Sequence, residues 1–67
     1  MSVNYDIAEM KNEIAKLYNV ENVCMREMSK GIYYNIIKIV NVCHKKHRTE
    51  LWDYIELLER NLISKSS

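Results

Sequence analysis

The side chains best suited to chemistry lie in one run, His44-Lys45-Lys46-His47-Arg48, where five potential cations follow one another. Such a run can grip phosphate groups, with an affinity that falls as salt rises. It also has a plainer use, because basic residues at the C-terminus of a helix complement the helix dipole, and that reading comes first here. The run raises the question of a metal as well. His44 and His47 are three apart and can share a helix face, with Cys43 beside them. A structural zinc site shows four ligands in paired short spacings, and Cys24 is the one distant candidate, so neither metal nor cofactor is expected. Glu50, Asp53, Glu56 and Glu59 recur every three residues, as on a solvated helix face, and do not suggest a carboxyl tuned by burial for acid–base work. A single Gly rules out a phosphate-cradling loop, and 67 residues leave little room for a concave pocket. The chain reads as non-enzymatic, with no small-molecule substrate.

The elements that must position these groups are helical. At 100° per residue Ile32, Tyr33, Ile36, Ile37, Ile39, Val40 and Cys43 share one broad face, and Asn35, Lys38, Asn41 and Lys45 fall opposite. A strand would put Lys38 on the face of Ile36 and Val40, so the helical period wins. A first helix over about 3–18 carries the stripe Ile7, Met10, Ile14 and Leu17, with Ser2 or Asn4 as N-cap and Asn19 as its stop. A short helix over 21–30 buries Val20, Cys24, Met25 and Met28, and Gly31 closes or kinks it. The third, 32–47, is central, with the first and last helices packed on its wide face, and it ends in the basic run. Thr49 caps a last helix over 50–63, whose inner stripe is Leu51, Ile55, Leu58 and Leu62, before a frayed tail from Ser64. The fold expected is all-α, a compact bundle of three to four helices in one domain spanning 1–67. A hairpin from Val23 to Val42 is the competing reading, since its Ile, Val and Tyr content suits strands.

Composition narrows the class. An apolar fraction of 48% argues for a folded chain, though this length sits near the limit at which one core supports itself. Net charge is +1, so the molecule as a whole calls for no acidic partner, yet Lys30, Lys38, Lys45, Lys46 and Arg48 form a stretch free of acids. No apolar run is long enough to span a bilayer, and no signal peptide is evident, so a cytoplasmic location is expected. Cys24 and Cys43 are then free, buried thiols, although both fall on apolar positions and a bridge between them is possible in principle.

The stretch Lys11 to Lys30 resembles the helix-turn-helix unit of DNA-binding regulators. Ile14, Tyr18, Val20, Met25 and Met28 occupy its apolar places, Ala15 the small position where the helices cross, and Asn19 the turn where Gly is usual. The resemblance implies a recognition helix at 21–30. Asn22 and Arg26 would then reach base edges, and Lys11, Lys16 and Lys30 would contact phosphates, aided by Lys45, Lys46 and Arg48. The other reading is an inhibitor or adaptor that docks on a larger protein. Its anchors would be the aromatic and apolar residues Tyr33, Tyr34, Ile37, Trp52, Tyr54 and Leu57, a surplus that a homodimer would also cover. The partner is therefore DNA or a larger protein, and the chain is expected to be a homodimer with no membrane contact.

Overall fold

The computed structural model describes residues 6–66; of Ser66 only the backbone is described. The expected caps Ser2 and Asn4 lie outside this range. Three α-helices follow in order: α1 (Ile7–Glu21), α2 (Lys30–Val42) and α3 (Lys45–Ser66), with a single 3-10 turn at Met25–Glu27 between the first two. There is no strand among the described residues, so the all-α reading holds and the Val23–Val42 hairpin does not form.

Asp6 starts α1, its Oδ1 accepting from the Glu9 amide at 2.8 Å and thereby satisfying one of the free N–H groups of the first turn. The helix runs past Asn19. It stops at Asn22, which takes the left-handed conformation with φ 57° and donates its amide to the Tyr18 carbonyl at 2.6 Å. Asn tolerates that conformation well, so the type of residue expected at the stop was right and its position three residues off. The expected helix over 21–30 is replaced by the 3-10 turn and extended flanks at Cys24 and Met28. Its apolar residues divide: Met28 is buried, Cys24 and Met25 half-buried, and Val20 exposed. Gly31 neither closes nor kinks a helix; it sits in the first turn of α2.

The expected continuous helix over 32–47 is cut at Cys43, which is extended and buried, its thiol donating to the Val40 carbonyl at 3.0 Å. Burying Cys43 and Leu51 in one core forces the chain to reverse there. His44, not Thr49, then begins the last helix. Its carbonyl accepts from the His47 amide at 2.9 Å, and its Nδ1 accepts from the Lys46 amide at 3.3 Å. Thr49 lies inside α3, and the tail expected to fray is helical as far as Ser66.

Nine residues form the core: Met10, Ile14 and Tyr18 from α1, Met28, Ile36, Val40 and Cys43, and Leu51 and Ile55 from α3. Ile7, Leu17, Ile32, Ile39, Leu58 and Leu62 pack partly buried around it, as the helical stripes require. Lys11 meets Glu50 and, two turns on, Tyr18 meets Glu59, so α1 and α3 run parallel with α2 reversed beside them. The α1–α3 contact is the most extensive of the three, which corrects the expectation that the 32–47 helix is central.

Candidate functional site

Two places gather the residues singled out from sequence. The larger is an open groove between α2 and α3, about 680 Å³, lined by Met25, Tyr33, Ile37, Trp52, Ile55 and Ile63 together with the charged Arg26, Glu56, Glu59 and Arg60. Trp52, Glu56, Glu59 and Ile63 follow one another at four, three and four residues, so they fall on one line along α3, about 17 Å from end to end. Tyr33 and Ile37, one turn apart, form the facing wall on α2. Large apolar groups remain open to solvent here: Tyr33 is 43%, Trp52 41% and Ile63 61% exposed.

The groove's floor is fixed by one carboxylate. Glu59 accepts from the Tyr18 hydroxyl at 2.6 Å and from the Met25 amide at 2.9 Å, tying α3 to α1 and to the 3-10 turn. Burial, and then the Glu59 carboxylate beside it, push the Tyr18 phenol far above its ordinary range, so it remains a donor. The same surroundings, burial first, raise the Cys24 thiol. From sequence Glu59 belongs to a solvated face; in the structure it turns inward, because the 22–29 connection offers an amide that no helix satisfies. Glu56 does remain outside, paired with Arg60 at 2.7 Å.

Of the six interface residues expected from sequence, the fold brings Tyr33, Ile37 and Trp52 together in the groove. Tyr34 and Leu57 are exposed outside it. Tyr54 lies under the Lys11 ammonium, 5.6 Å from ring centre to Nζ, beside the Lys11–Glu50 pair of 2.7 Å. That pair holds the Glu50 carboxyl below the usual carboxylate range. The sequence reading missed Met25, Ile63, Glu56 and Arg60 as groove residues. The signal for Ile63 was present, eleven residues after Trp52 and hence on the same helix face.

The second place is the start of α3. Lys45, Lys46, His47 and Arg48 form its first turn. Reading them as the end of the preceding helix gave them a favourable dipole; here they crowd the positive end, where cations are disfavoured. Arg48 reaches the Asn41 carbonyl at 3.4 Å through Nη2, while its buried Nε has no partner. His44 and His47 stack edge to face with centroids 6.4 Å apart. Among the described residues no three His, Cys, Asp or Glu side chains converge as metal ligands would, and both cysteines are free. No helix of the described residues is long and apolar enough to cross a membrane.

The remaining DNA-contact candidates are dispersed. Asn22 is the C-cap of α1, Arg26 stands in the 3-10 turn and Lys30 opens α2. With no α-helix at 21–30, Asn22 and Arg26 do not share the reading face that a recognition helix would give them. Lys11 is engaged by Glu50, and Lys16 pairs loosely with Glu13 at 3.5 Å. Compared with known proteins, the chain matches no family model, no curated protein and no solved structure.

Proposed function

We propose that this chain acts by binding and not by catalysis, as a small helical protein–protein interaction module whose contact surface is the α2–α3 groove. The observation that carries this reading is the convergence of Tyr33, Ile37, Trp52 and Ile63, from two helices, on one open apolar trough of about 680 Å³. Half-exposed aromatics in a preformed trough are the usual anchors of a protein interface. Such a trough suits an apolar helix face laid along it. Glu59 pins the floor in place, so the trough is preorganised and little ordering is needed on binding.

The test compares the wild-type chain with the variant Ile63→Asp, which alters an exposed wall residue. A binding partner held by the wild type should be lost by the variant, and the purified partner should shift the emission of Trp52, the one tryptophan. Retention of that partner by Ile63→Asp would overturn the reading.

A second reading, a DNA-binding regulator, is favoured by one specific observation: the basic turn Lys45, Lys46, His47 and Arg48 at the positive end of α3. Charges placed where they oppose the dipole suit an anionic ligand such as the phosphate backbone. If this reading is right, short duplex DNA binds at low salt and the variant Lys45→Glu/Lys46→Glu loses that binding. No binding at low salt sinks it.

A further inference from the structure

Both walls of the groove begin with a cation. Lys30 precedes Tyr33 by three residues and Ile37 by seven, and Lys45 precedes Trp52 by seven, so each lysine lies on the exposed line of its own wall. Because α2 and α3 run in opposite directions, Lys30 stands with Arg26 at the Ile63 end. Lys45 stands at the Trp52 end, with Arg48 one turn before the ring. Among the described residues none of these four cations makes an ion pair, and Arg48 has the Asn41 carbonyl alone.

The neighbouring acids are engaged or turned aside. Glu56 is neutralised by Arg60 at 2.7 Å, and Glu59 gives an oxygen to Tyr18 and Met25 at the floor. Glu21 is held by the Ser29 amide, and Glu27 lines a separate hollow that Arg26 and Ile63 also border. Asp53 lies about 100° round α3 from Trp52. An apolar trough thus has unmatched cations at both ends.

We propose that the partner's segment in this groove is an acidic amphipathic helix, with an apolar stripe against Tyr33, Ile37, Trp52 and Ile63 and Asp or Glu toward both its ends. The inference rests on the reading of the groove as a contact surface and names the charge of what fills it. From Lys45 to Ile63 the wall is about 27 Å long, matching about five helical turns of the partner. A carboxylate at either end meets a cation with no internal acid to give up, so docking breaks no ion pair within the chain. Other occupants fit less well. A flat anionic membrane would leave the recess unfilled, and duplex DNA would lay phosphates on Trp52 and Ile63. A second copy would bring the same unmatched cations toward each other.

The experiment is a selection on the full chain from a displayed library of helical peptides, each about five turns long with its surface positions randomised. The expected result is enrichment of peptides with an apolar stripe, a net negative charge, and Asp or Glu in the first and last turns. A selected peptide should move Trp52 emission to shorter wavelength and be lost on Ile63→Asp. Lys30→Glu/Lys45→Glu, at two exposed positions, should weaken it about tenfold at low salt, and Lys30→Gln/Lys45→Gln should weaken it less. Circular dichroism on each variant separates lost binding from lost fold. Selected peptides that need Ile63 but show no acidic excess, or that ignore both lysine variants, overturn the proposal and leave the groove as contact surface. No enrichment, or peptides indifferent to Ile63→Asp, overturns both. Vesicles of phosphatidylglycerol and phosphatidylcholine, or a short duplex, that shift Trp52 emission when no peptide does also overturn it and give the face to another class of partner.

Discussion

Between α1 and α2 the chain takes eight residues, 22–29, whereas between α2 and α3 it takes two, Cys43 and His44. The long connection is closed by carboxylates sent from the helices. Glu59 receives the Met25 amide and Glu21 the Ser29 amide at 2.7 Å, while Asn22, Glu27 and Met28 direct their amides to backbone carbonyls. At the short connection, backbone capping falls to His44, and four basic residues follow directly at the positive end of a helix. At one end of the bundle five amides of the connection have acceptors, and the other end keeps charge in surplus. Irregular backbone needs many acceptors and obtains them from acids, so the end with the longer loop becomes the better-satisfied one. The short end has few amides to satisfy, and its side chains are left for solvent or a ligand.

The sharpest way to break this contrast is to remove the acid at the long connection. Glu59→Ala leaves the Tyr18 hydroxyl and the Met25 amide without their acceptor and should cost about 2 kcal/mol in urea denaturation. Glu59→Gln, which keeps an acceptor, should cost less. An effect of Glu59→Ala within error of wild type would mean that the long connection is not held in this way.

Tyr18→Phe should cost about 1 kcal/mol, and it also changes the pH profile. Tyr18 has its folded-state pKa raised, so its contribution is complete below the unfolded phenol value of about 10 and is lost as pH rises beyond it. Stability should therefore fall on the alkaline side, and Tyr18→Phe should flatten that fall. Glu21 and Glu50 are shifted the other way, Glu21 by the Ser29 hydrogen bond and Glu50 by Lys11. Their contribution is present above the unfolded carboxyl range and lost as pH drops through their lower folded-state values. The acid limb should persist in Tyr18→Phe.

At the short connection the sign reverses. Lys45→Glu and Lys46→Glu replace cations by anions at the positive end of α3 and should each raise stability by a few tenths of a kcal/mol at low salt, an effect that fades as salt is added. A loss of stability instead would show that these lysines have structural partners. Gly31→Ala should stabilise by about 0.5 kcal/mol, since Gly31 is helical and an added Cβ meets nothing within 4 Å. Thermal melting resolves its sign.

Much of the architecture was legible in periodicity. The stripes Met10–Ile14, Ile36–Val40 and Leu51–Ile55 have helical spacing and all reach the core. Where α2 ends was not legible, because Val42, Cys43 and the basic run continue a helical pattern without Gly or Pro to interrupt it. The break depends on burying Cys43 against residues far along the chain. Of the residues expected at an interface, Tyr33 and Ile37 follow from the wide face of their helix and meet Trp52 in the groove, whereas Tyr34, Leu57 and Tyr54 are aromatic or apolar but belong to other surfaces.

The sequence by itself determined that the chain is helical, where its apolar stripes lie, and that an Asn would stop its first helix. These are local properties, set by side-chain spacing along a 3.6-residue turn and by hydrogen bonding within a few residues. Tertiary structure alone decided that Glu59 faces inward, that Trp52 and Ile63 share a groove with Tyr33, and that the basic run opens a helix instead of closing one. Each of these depends on which distant segment lies alongside, and a polar or charged side chain takes its role from the partner that the fold sets within reach.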